Sequence, residues 1–78
     1  MITGEEFKRI REYKGLSLRD VARFCKVSPQ LIGQIEQGKK EFTDNNYRQI
    51  IDALNIASAS KQRGQLIKGV RGRKTILK

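Results

Sequence analysis

Apolar residues recur along the first 57 positions at spacings of three and four, interrupted by residues that start or stop helices. Phe7, Ile10 and then Tyr13 or Lys14 form the first stripe, and Thr3 followed by Glu6 is a capping box at its start. The spacing predicts a helix over residues 4–14, stopped by Gly15, with Leu16 packing into the core from the loop. Ser17 with Asp20 is the carboxylate variant of the same box and opens a second helix over residues 18–25. Ser28 opens a third over residues 29–37. There Pro29 holds the first helical position, where a missing N–H costs nothing, and Gly38 stands where a left-handed residue closes a helix. Val21, Ala22, Cys25, Val27, Ile32 and Ile35 supply the inner seam of this pair, with Cys25 acting as a small core hydrophobe.

Beyond Gly38 the pattern predicts a short loop in which Phe42 alone has a reason to be buried. Thr43 caps a fourth helix, and Asp44 in its first turn suits the positive end of the helix dipole. Its apolar stripe is Tyr47, Ile50, Ile51 and Leu54. Asn55 reads as a left-handed stop, after which Ile56 folds back onto the core. The chain is therefore expected to be all-α, a compact four- to five-helix bundle over residues 1–57 followed by a basic C-terminal tail over residues 58–78. Residues 58–64 have linker-like composition, and residues 65–78 read as a weak hairpin or a flexible arm. Gly64, Gly69 and Gly72 argue against a stable helix there.

Residues 1–57 carry ten Lys/Arg against eight Asp/Glu, whereas residues 58–78 carry seven Lys/Arg and no acid, which puts most of the net +9 in the tail. A small domain with a basic tail points to a polyanion, most often nucleic acid and less often an anionic membrane surface. One cysteine and no histidine leave no internal disulfide, zinc finger or His-based catalysis. No cluster of acid, base and nucleophile stands out, so the expectation is a protein without catalytic residues, metal, cofactor or small-molecule substrate. With no apolar run fit for a signal peptide or a membrane span, a cytoplasmic, nucleoid-associated setting follows.

Two short helices joined by a turn, the second with an outward polar face, form the layout of a helix-turn-helix. With Leu16-Ser17, Val21-Ala22, Val27-Ser28, Ile32, Ile35-Glu36 and Gly38-Lys39 in these places, the chain resembles the phage Cro/repressor-type helix-turn-helix family over roughly residues 6–56. The resemblance implies a bundle of the lambda-repressor-like type whose third helix enters the major groove of double-stranded DNA, usually as a homodimer on a two-fold site. It places the base-contacting positions on Pro29, Gln30, Gly33 and Gln34. It also implies a structural ion pair between Arg11 and Glu36. The chain departs from the family in three places. Leu18 stands where a Gln often grips a phosphate, Lys26 stands where the turn usually has Gly, so that a left-handed non-glycine residue costing about 1 kcal/mol is expected there, and Phe24 replaces a polar, solvent-facing residue.

Gln30 and Gln34, four apart, share one helix face, and an amide can donate and accept at once, which matches adenine N6 and N7 in the major groove. Gly33 beside them would let a base or thymine methyl approach closely, and Pro29 offers helix initiation and a van der Waals contact. Lys39, Lys40, Arg19, Gln37 and the Ser28 helix start are the candidate backbone contacts, with Arg23 and Lys14 weaker ones. Arg71-Gly72-Arg73 with Lys74 suits a minor-groove or phosphate-binding arm. A dimerising strand built on Leu66, Ile67, Val70, Ile76 and Leu77, or an inert tail, compete with it. Phe24 either tucks sideways into the core or is covered by a partner or by the chain's own tail. The expected function is a small transcriptional regulator or repressor of a bacterium, phage or mobile element. Two alternatives stand beside it: a DNA-binding accessory protein for recombination, conjugation or replication, and a protein-interaction module with an RNA- or acid-binding tail.

Overall fold

A computed structural model describes the backbone of residues 1–72 and the side chains of residues 1–62. It contains four helices and, among the described residues, no strand: α1 (Gly4–Tyr13), α2 (Leu18–Ala22), α3 (Pro29–Glu36) and α4 (Asp44–Gly72). None of these helices is long and apolar enough to cross a membrane.

Local chemistry fixes the ends of the first three. Thr3 Oγ1 accepts from the Glu6 amide at 3.0 Å, while the Thr3 amide donates back to Glu6 Oε1 at 2.8 Å. Ser17 and Asp20 repeat this reciprocal pair at the start of α2 at the same two distances. At the far end of α1, Gly15 adopts φ +71°; its amide donates to the Glu12 carbonyl, and that of Leu16 donates to the Arg11 carbonyl. α3 ends in the same way. Gly38 at φ +81° donates to Ile35 and Lys39 donates to Gln34. Both are the paired closure that a left-handed glycine permits.

α3 packs on α1 and α2, and α4 closes over α2. The core is Phe7, Leu16, Val21, Val27, Ile32, Ile35, Ile50, Ala53, Leu54 and Ala57. Phe42, half-buried, lies edge-on to Phe7 at 6.1 Å between ring centroids and edge-on to Tyr47 at 5.0 Å. Such pairs add about 0.5–1.5 kcal/mol beyond the area they bury. The Tyr47 hydroxyl also accepts from the Ile2 amide at 3.2 Å, which ties the chain's start to α4.

Several expectations need correction. The first stripe is rotated: Ile10 and Tyr13 lie outside, Tyr13 almost fully exposed, because the inward place next to Phe7 is taken by Arg11. Lys26 is not left-handed, since among the described residues no non-glycine has a positive φ. α2 ends at Ala22, three residues early, and its last turn tightens. The Phe24 and Cys25 amides donate to the carbonyls three residues back. The connection to α3 thus has enough residues to turn without one strained conformer, and the Lys26 amide donates to Gln49 Oε1 of α4 at 3.3 Å.

The fourth helix is also longer than expected. Asn55 does not stop it, Ile56 points outward at 48% exposure, and residues 58–72 continue as helix in place of the expected linker, hairpin or strand. Ala57 explains the first step, because it is 3% exposed and needs helical geometry to reach the core. From there Ser58 to Gln62 contain no breaker, and extending a helix is far easier than starting one. Lys61, from the next turn, donates to the Gly15 carbonyl and pins α4 against the α1–α2 loop. Leu66, Ile67 and Val70 therefore belong to α4 rather than to a dimerising strand, whereas Ile76 and Leu77 lie outside the described residues.

Candidate nucleic-acid interface

α3 has two faces of opposite character. Ile32, Ile35 and Glu36 are buried, whereas Gln30, Gln34 and Gln37 are exposed and Pro29 and Gly33 half-buried. The one charge on the helix faces inward. Arg11 Nε donates to Glu36 Oε2 at 2.7 Å and its Nη2 donates to Oε1 at 2.9 Å, while Nη1 donates to the Leu16 carbonyl at 2.7 Å. The two bonds that the guanidinium donates to the Glu36 carboxylate hold its pKa above its ordinary value. The pair couples the last turn of α1, the loop after it and the last turn of α3. It fixes how α3 is presented while leaving its outer face uncharged.

The start of α3 is set by Ser28, whose Oγ accepts from the Leu31 amide at 3.1 Å. Pro29 has no amide, so Gln30 carries the first backbone N–H at this end that Ser28's side chain does not occupy. Past the other end, the Lys39 and Lys40 amides both donate to the Gln34 carbonyl, at 2.9 and 3.3 Å. That wraps the backbone tightly round the end of α3 and leaves both lysine side chains exposed. Arg19 on α2 and Arg23 just past its end are exposed. Asp20 between them is held below its ordinary pKa, chiefly by the Ser17 amide. The result is a neutral amide-bearing face with cations at its margins.

Two placements have no counterpart in the sequence pattern. Gly33 does not face open space alone: a Cβ built on it would lie 3.3 Å from Leu18 Cδ1, so Leu18 reaches from α2 across to α3. A glycine inside a short helix was the available signal. The other is Gln49, whose bond to the Lys26 amide comes from an otherwise ordinary polar position of α4.

Phe24 is 38% exposed, at the rim of a groove between α2 and α4 lined also by Leu16, Asp20, Arg23, Ala57, Ser60 and Lys61. Cys25 is half-buried against the core. Of Arg71 the helical backbone alone is described, and Arg73 and Lys74 lie outside the described residues.

A capped helix pair with a supported outer helix, neutral on its exposed face and cationic at its edges, defines a DNA-binding helix-turn-helix domain. The model of the helix-turn-helix domain family matches residues 3–61, and the chain belongs to that family. No curated protein and no solved structure matches it.

Proposed function

We propose that this chain is a sequence-specific regulator of transcription, of the repressor type, that inserts α3 into the major groove. Gln30 and Gln34 read adenine edges, and Pro29 and Gly33 lie against the neighbouring bases. Arg19, Ser28, Gln37, Lys39 and Lys40 meet the sugar-phosphate backbone and set the register. Arg71, Arg73 and Lys74 add affinity through phosphates or the minor groove, and two copies bind one two-fold site. The observation that carries this reading is the exposed amide pair on a helix whose own charge is turned inward and neutralised by Arg11. A neutral face suits reading bases, because a carboxylate there would be repelled by the phosphates.

Selecting bound sequences from a random pool of duplex DNA tests the proposal. A two-fold site with adenines at fixed places in each half is the expected result. A pool that shows no enrichment would overturn sequence-specific recognition, and an asymmetric site would overturn the paired arrangement.

A further inference from the structure

Leu18 is held firmly. It is the first residue of α2, directly after Ser17, whose hydroxyl and amide are both engaged with Asp20 at 3.0 and 2.8 Å. Its side chain is half-buried and packs on the edge of the core. The far end does not stop there, since Cδ1 comes to 3.3 Å from the point a Gly33 Cβ would occupy. Gly33 lies off the buried side of α3, which consists of Ile32, Ile35 and Glu36. Leu18 thus borders Gly33 with a branched methyl delivered from another helix, close enough to crowd any side chain placed there.

Helical spacing arranges the exposed half of α3 in two neighbouring rows. Gln30 and Gln34 form one row, and Pro29 and Gly33, each four residues apart on the next, form the other. With Leu18 laid on Gly33, the second row is apolar. An A·T pair presents the same sequence of chemistry across its major-groove edge: adenine N7 and N6, then thymine O4, then the thymine C5-methyl. An amide row beside an apolar row matches that order.

We infer that Leu18, seated on Gly33, is a specificity-determining residue that contacts a thymine C5-methyl group next to a base pair read by glutamine. The inference rests on the reading of α3 as the major-groove helix. It makes the sites taken by this protein A·T pairs recognised by their methyl groups as well as their adenine edges. It also gives the leucine a function of its own, in place of a phosphate contact that its side chain cannot make.

The test is titration of the full chain against a site selected from the random pool, with each thymine replaced in turn by deoxyuridine, which lacks only the methyl. At one thymine in each half-site the replacement is expected to weaken binding about fourfold, the worth of one buried methyl group. That penalty should vanish in Leu18→Ala and Leu18→Gln while persisting in Gln34→Ala. Leu18→Gln keeps an extended side chain, one bond longer than leucine, but ends it in a polar amide in place of the methyls, and thermal melting identifies any variant that has lost its fold; the deoxyuridine series on the unaltered protein stands regardless. Uniform tolerance of deoxyuridine alongside a clear preference for the selected site would overturn the inference and leave the α3 reading standing. So would an undiminished penalty in both folded Leu18 variants. If the protein prefers no site over scrambled DNA, the α3 reading and this inference fall together.

Discussion

Arg11 and Glu36 are each less than a tenth exposed, and every donor direction that the guanidinium turns inward is met by Glu36 or by the Leu16 carbonyl. Removing one member of such a pair strands the other in a poor solvent for charge. Glu36→Gln should cost about 3 kcal/mol in urea unfolding, whereas joint replacement by Arg11→Met and Glu36→Leu should recover most of that loss. A joint variant as unstable as the single one would show that the pair stabilises more than it costs to bury. Gly4 poses a steric question instead. A Cβ there would run into the Ile35 carbonyl, because the first turn of α1 sits directly on the last turn of α3. Backbone on both sides leaves no flexible group to move, so Gly4→Ala should lower stability by about 1–3 kcal/mol. An unchanged melting curve would mean the two helix ends can part without cost.

Helix boundaries were legible wherever a side chain closes a backbone bond locally. Thr3, Ser17, Ser28, Gly15 and Gly38 each announce themselves within three residues, and α1 to α3 begin where those residues say. The early end of α2 and the continuation of α4 were not legible, because each depends on a distant partner. The turn after α2 is held by Gln49, and α4 passes Asn55 because Ala57 and Lys61 have places to go on α2 and its loop. The buried arginine shows the same limit of spacing, which favoured Ile10 and Tyr13; its pairing with Glu36, 25 residues away, was implied only by the family resemblance, and the structure contains it. At the candidate interface the exposed glutamines were readable from helix spacing, but the crossing of Leu18 onto Gly33 joins residues that no local pattern links. Ending the chain after Asn55 should therefore abolish cooperative unfolding or lower the melting temperature sharply. Ending it after Gln62 should leave the bundle intact by circular dichroism. Equal stability of the two truncated chains would refute a structural role for the 57–61 turn.

At the scale of the whole molecule, charge and readout are separated along the chain. The bundle is nearly balanced, its exposed α3 face is neutral, and the cationic excess follows residue 57. In the proposed function the α3 face selects sites and the cations set general affinity for the polyanion. Removing residues 63–78 should then reduce binding to scrambled DNA and flatten its dependence on salt, by close to one unit of slope for each phosphate no longer neutralised. The ratio of specific to non-specific affinity should change far less. In the proposed function α3 reads bases through its amide row. The most direct measurement compares Gln34→Ala with the unaltered protein on the selected site and on scrambled DNA at one salt concentration. The expected outcome is a loss of about 1–3 kcal/mol on the selected site, relaxed preference at one base position and no change on scrambled DNA. Equal affinities of the two proteins for both DNAs would contradict it.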